Sequence, residues 1–207
     1  MNYKTLVSDE TLQKVASELK KRNFDPIIVP DKEEALKKIQ ELIPLGASVM
    51  NGASRTLEEI GFIEHLKSDT HGWNNLHKAI VGESDPQKQQ ILRREALLSD
   101  FYLGSVHALA ETGEMVIASN TGSQLPHVVY SSPNLILVIG TQKIVPTLED
   151  GRRRLREHVV PLEDVRMKEV YGPTMGTMLN KEFIFHGESS FTGRKIHVLL
   201  VNEKLGF

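Results

Sequence analysis

Leu135-Ile136-Leu137-Val138-Ile139, entered from Asn134, is an apolar run of strand length with no polar residue inside it. A strand lacking polar alternation must be covered on both faces, so the chain has to supply a layer on each side of a central sheet. The rest of the pattern offers those layers. Leu12, Val15, Ala16 and Leu19 fall at i, i+3, i+4 and i+7, which predicts an amphipathic helix over about 8–23 with Ser8 or Asp9 as its N-cap. An extended stretch at 26–30 leads to Asp31, which caps a helix carrying Leu36, Ile39 and Ile43, with Glu34 at the capping-box position. Ala47-Ser48-Val49-Met50 reads as a buried strand, and Ser54 as the cap of a helix with Leu57 and Ile60.

Asp85-Pro86 starts a helix over 86–99, and strands follow at 101–104 and 114–118. Beyond the apolar run come a charged helix at 147–159, a helix at 161–169, a loop at 172–178, and strands at 182–186 and 195–202. Helices alternating with strands call for crossover connections and a mostly parallel sheet. The expectation is one α/β domain over 1–207. The polar segment 62–82, with His65, His71, Trp73 and His77, reads as a lid, an excursion or a short helical connection.

Composition narrows function. The 25 Lys+Arg and 27 Asp+Glu leave a net charge of −2, with no global field for nucleic acid or an anionic membrane. With no cysteine, disulfides, thiolate nucleophiles, Cys-ligated zinc and a protein-held iron–sulfur cluster are all excluded. The start of the chain lacks an apolar signal core and no long apolar run occurs, so the expected location is cytoplasmic with no membrane association. Arg152, Arg153, Arg154 and Arg156 lie among Glu149, Asp150 and Glu157 and read as a solvated, salt-bridged face, with Glu149/Arg153 and Asp150/Arg154 as i,i+4 pairs. The spacing of six between His65, His71 and His77 suits neither a helix nor a strand face, so no metal site is expected.

Four segments are candidates for chemistry. Asn51-Gly52-Ala53-Ser54-Arg55 joins a buried strand to a helix start, where a phosphate or carboxylate can be received; the plainer reading is a glycine turn with a helix cap. Glu111, in the Glu111-Thr112-Gly113 turn between two strands, can serve as nucleophile or general base, or simply bond neighbouring amides. His107 precedes it as a weaker acid–base candidate. Asn120-Thr121 lies in a polar turn after a strand, and Lys143 follows the apolar strand at the same sheet edge as Ser54, where it can fix an anion as a point charge. Glu188, in the polar loop 187–193, is a further acidic candidate.

Taken together, the stretches 51–61, 100–113, 143–146 and 201–207 resemble the LUD domain, the lactate utilisation family of the protein C type. The resemblance runs from about Thr11 to Phe207, and its most specific part is Ala110-Glu111-Thr112-Gly113 followed downstream by Lys143-Ile144-Val145. It implies a three-layer α/β/α sandwich with a mostly parallel central sheet, the type shared with ribose-5-phosphate isomerase, coenzyme A transferases and 5-formyltetrahydrofolate cyclo-ligase. It also implies a place in bacterial oxidation of L-lactate to pyruvate by a multi-protein iron–sulfur system. Lacking cysteine, this chain would be the cluster-free accessory member: no cofactor of its own, iron–sulfur proteins as partners, and a small anionic ligand.

In that scheme Asn51, Gly52, Ser54 and Arg55 receive the anion with help from Thr112, Gly113, Asn120 and Thr121. Glu111 and His107 act on the reacting group and Lys143 neutralises charge. The related coenzyme A transferases use the glutamate of a Glu-Asn-Gly turn as nucleophile; here threonine stands in place of asparagine. Two rivals remain: a free-standing enzyme of the isomerase, coenzyme A transferase or formyl-folate ligase type, and a non-catalytic scaffold subunit. A homo-oligomer is compatible with each.

Overall fold

The computed structural model describes residues 2–207. The first half of the chain forms α1 (Asp9–Lys21), β1 (Asp25–Val29), α2 (Lys32–Leu42), β2 (Ser48–Asn51), α3 (Arg55–Glu59), α4 (Phe62–Lys67), β3 (Asn74–Asn75), α5 (Leu76–Gly82) and α6 (Pro86–Glu95). The second half forms β4 (Phe101–Gly104), β5 (Ala108–Ala110), β6 (Met115–Ser119), β7 (Asn134–Gly140), β8 (Ile144–Val145), α7 (Leu148–Arg154), α8 (Val160–Tyr171), β9 (Lys181–Phe185) and β10 (Lys195–Val201).

Six strands make a sheet in the order β1-β10-β7-β4-β2-β3, every neighbouring pair parallel. The apolar run is β7, near the middle, and its two faces go to two different cores. Leu135, Leu137 and Ile139 pack with Leu12, Val15 and Leu19 of α1, while Ile136 and Val138 pack with Ala35, Ile39 and Leu57 of α2 and α3. β10 divides the same way, Ile196, Val198 and Leu200 to one side and Leu199 and Val201 to the other. Since successive side chains point to opposite faces, an unbroken apolar strand needs helices on both, and the result is the three-layer α/β arrangement.

The capping chemistry sets the helix starts. Ser8, Asp31, Ser54 and Asp85 each accept a backbone amide of the first turn, and Pro86 occupies the first position of α6. Segment 62–82 docks on the β2 side of the sheet. Phe62, Leu66 and Trp73 are buried with that core, and the Trp73 indole donates to the Ile43 carbonyl at 3.2 Å.

Past the carboxyl ends of the main sheet, a second sheet runs β8-β5-β6-β9, with β6 antiparallel to both β5 and β9. Against it lies one long helix rather than two: α7 and α8 are joined through a wide turn at Leu155–Val159. Pro161 follows that turn, and a proline there removes a helical amide and crowds the preceding carbonyls, which a wider turn accommodates.

This helix corrects one expectation. Arg152 pairs with Glu149 and Glu182, Arg156 with Glu182, and Arg153 with Asp150 as i,i+3. Arg154, however, turns inward and is fully buried, because its position shares the face of Leu155 and Val159 that packs on the second sheet. Its guanidinium donates to the His107 carbonyl, lies 5.7 Å from the Tyr3 ring centre, and leaves Nε and one terminal nitrogen without partners. Among the described residues, no helix is long and apolar enough to cross a membrane, and no group of three His, Cys, Asp or Glu side chains is placed to hold a metal.

Candidate functional site

Three adjacent parallel strands deliver the site. β2 is followed by residues 52–56, β4 by 105–107 and β7 by 141–143. The three segments converge outside the carboxyl ends of the strands, where ligands bind in open α/β sheets. They form the floor of a cavity of about 730 Å³, a size suited to a small molecule. Its far wall is the long helix and the loop after it, through Leu155, Val159, Met167, Tyr171, Met175 and Met178. The cavity therefore has a polar floor and a wall of flexible apolar side chains interrupted by the charged Glu163 and Arg166.

Lys143 is the central group of the floor. It is 3% exposed, and its Nζ donates to the hydroxyls of Thr56 (2.9 Å) and Ser105 (3.1 Å) and to the Val106 carbonyl (3.3 Å). No carboxylate lies within ion-pair distance among the described residues. Burial first, and the Arg154 cation second, lower its pKa to about 7, with Glu59 acting weakly the other way.

His107 sits beside it on the cavity lining. Its Nδ1 accepts the Ala118 amide at 3.0 Å, which puts the ring proton on Nε2. Burial, then Lys143 and Arg154, hold its pKa down to about 3. The imidazole is thus neutral and offers the cavity an N–H donor.

The floor is kept in place by a close approach. Tyr102, on β4, lies flat on His127 with ring centres 4.4 Å apart, and its hydroxyl meets the Gly52 amide. A Cβ on Gly52 would stand 2.5 Å from the Tyr102 oxygen. Gly52→Ala must therefore displace a stacked, buried ring, and about 1–3 kcal/mol of stability should be lost. Chemical denaturation reads this directly, and an unchanged midpoint would show that the ring can move freely. The chain's last residues close the other side: Gln142 donates to the Leu205 carbonyl at 2.8 Å, and the Gly206 amide donates to Glu59 at 2.6 Å.

Of the residues singled out by sequence, Gly52, Ser54, Arg55, His107, Asn120, Thr121 and Lys143 line this cavity. Ser54 is engaged as the α3 cap at 3.3 Å from the Leu57 amide, and Arg55 is spent on Glu59 (2.9 Å) and Glu58 (3.5 Å). Asn120 is bonded to Asn180, and Thr121 to Ser123. Asn51 is buried beside the floor, bonded to the Gly52 carbonyl, and does not line the cavity.

Glu111, Thr112 and Gly113 lie elsewhere. β5 starts at the cavity and runs away from it, so Glu111, four residues beyond His107, is about 13 Å along the strand. There it pairs with Lys14 at 2.9 Å on the surface, while Arg22 holds the turn through the Thr112 carbonyl (2.7 Å) and Glu114 (2.5 Å). Glu188 likewise serves structure, bound to buried Arg194 at 2.7 Å. Sequence reasoning passed over Ser105, Thr56 and Tyr102 as site residues and read Arg154 as solvated. Ser105 directly follows a predicted strand, so its place at a carboxyl end was available as a signal; the inward turn of Arg154 was not.

The comparisons with known proteins agree with this architecture. A crystal structure of a DUF162 family protein from Deinococcus radiodurans is similar over 96% of this chain and 100% of its own, with a TM-score of 0.58 at 13% identity, a likeness of fold. No curated protein matches the chain. The family model for the LUD domain matches residues 12–201. The chain therefore belongs to the LUD domain family and carries that family's general association with lactate utilisation.

Proposed function

We propose that this protein is a cluster-free accessory member of a lactate utilisation system, and that its cavity takes a small organic acid. The observation that carries the reading is Lys143: a buried amine with no carboxylate partner, lining a cavity of small-molecule size. A bound carboxylate would supply the missing counter-charge and raise the amine's proton affinity on binding. The Nε2–H of His107 adds a fixed donor, and Arg93 on the lining has no ion-pair partner among the described residues. Iron–sulfur redox chemistry would come from partner proteins, since the chain has no cysteine.

The test is thermal unfolding with lactate, pyruvate, phosphosugars, coenzyme A esters and folates. A ligand at about 100 times its Kd adds roughly 2.7 kcal/mol. Lactate or pyruvate should shift the native protein and lose that shift in Lys143→Met. A shift with a phosphosugar, coenzyme A ester or folate alone would favour a free-standing enzyme instead. Glu111→Gln should keep the full ligand shift and change stability by no more than about 1 kcal/mol, because an exposed pair contributes little. Loss of ligand binding in that variant would return Glu111 to the site.

A further inference from the structure

Lys143 can fix one end of a ligand, and the opposite wall of the cavity decides what the other end must be. Three neutral acceptors surround Nζ, an arrangement that suits an ammonium whose counter-charge comes from the cavity. The space available far exceeds that task. A three-carbon acid displaces roughly three waters, about 90 Å³, whereas the cavity measures about 730 Å³.

The far wall is unfinished as a protein surface. α8 buries none of its residues, and Tyr171, Met175 and Met178 line the cavity while 58%, 47% and 67% exposed. Met167 and the buried Leu155 and Val159 continue the same apolar surface. Apolar side chains gathered at a cavity and left in water mark a surface that a ligand covers. The charges that interrupt this wall leave no place for a second anion. Arg166 is held by Glu58 at 2.6 Å and Glu163 at 3.3 Å, and Arg55 by Glu59 and Glu58, so three carboxylates face two guanidinium groups. A phosphate or second carboxylate seated there meets an excess of negative charge. Arg93, on α6, is exposed and bonded to Gln89 at 3.2 Å, so water and salt screen it.

We propose that the acid taken by the cavity is a monocarboxylate with a large apolar side chain, aromatic above all, its carboxylate on Lys143 and its side chain on Met167, Tyr171, Met175 and Met178. The proposal rests on the small-acid reading above and names the class of acid. Thioether side chains adjust to the outline of a ring and make favourable contacts at its edge, and Tyr171 adds a ring of its own. The single methyl group of lactate leaves most of this surface wet. The wall therefore sets specificity, while Lys143 and the His107 Nε2–H serve every acid alike.

The experiment titrates the purified full chain by calorimetry with lactate, 2-hydroxyhexanoate, phenyllactate and the dianion 2-hydroxyglutarate. Each methylene buried should tighten binding about three- to fourfold, which puts phenyllactate roughly tenfold or more below lactate in Kd. The dianion should bind no tighter than lactate. Met175→Ser with Met178→Ser, both in the exposed loop after α8, should cut the preference for phenyllactate over lactate severalfold, and Lys143→Met should abolish binding of each acid. Equal affinities for lactate, 2-hydroxyhexanoate and phenyllactate overturn the apolar class and leave the small-acid reading standing, as does a preference for 2-hydroxyglutarate. A phenyllactate preference untouched by the paired serine substitutions overturns the seat on the wall. No binding of any acid, or binding that survives Lys143→Met, removes both.

Discussion

Lys143→Met is expected to melt above the parent protein at pH 6 and to lose that advantage steadily as the pH rises toward 10. In the folded chain the amine is held at about 7, against 10.5 in its ordinary state. Between those values the unfolded chain binds a proton that the folded chain does not, so the parent gains stability with rising pH across that window. Below about 7 the full cost of burying the cation is present, at most about 4–5 kcal/mol for a displacement of this size. Methionine removes the cost and keeps the volume. At high pH no cost remains, and the variant has lost the hydrogen bonds of the uncharged amine. His127 and His107 are present in both proteins and largely cancel in the difference. At about 2–4 °C per kcal/mol for a chain of this length, the change is easily read by calorimetry at several pH values. A difference that stays constant with pH would show that Lys143 titrates alike in both states, and would remove the uncharged amine.

Arg194→Met should cost about 3–5 kcal/mol, or roughly 6–20 °C. Arg194 and Glu188 are almost fully covered, with side chains 4% and 7% exposed. The guanidinium donates to the carbonyls of His127, Val128, Val129 and Ser132 at 2.9–3.0 Å, as well as to Glu188. Those carbonyls belong to the wide helical turn His127–Ser131 and its end, where the usual helical partners are missing. Removing the guanidinium strands both the carbonyls and the Glu188 charge. The damage should reach the cavity, because His127 stacks on Tyr102 and Tyr102 meets Gly52. Arg194→Met with Glu188→Gln should recover part of the loss, since the stranded charge is then gone. A single variant melting within about 2 °C of the parent would mean that the capping has no net value, as some buried pairs do when desolvation cancels their attraction.

Much of the architecture was legible before any coordinates. The run at 134–139, the stripe of Leu12, Val15, Ala16 and Leu19, and the caps Ser8, Asp31, Ser54 and Asp85 each encode a local requirement, and each local requirement was met by the fold. The floor segments at 52–56 and 143 were legible for the same reason, as they follow strands whose direction the crossovers dictate. That Glu111 does not line this cavity was not legible, because a turn between two strands reads the same at either end of a sheet. That β5 carries it away from the cavity depends on β5 pairing in a second sheet, with β8 and β6.

What the sequence by itself determined was periodicity and punctuation: which segments are strands or helices, that the central strand is covered on both faces, and that no thiol chemistry exists. What only the tertiary structure decided was which polar groups lose water together. The burial of Lys143 beside Arg154 and His107, the docking of residues 205–206 near Thr56, and the capping of the His127 turn by Arg194 join positions up to 149 residues apart. Local propensity acts within a few residues of the chain, whereas desolvation and Coulomb forces depend on distance in space, and only the folded packing sets that distance.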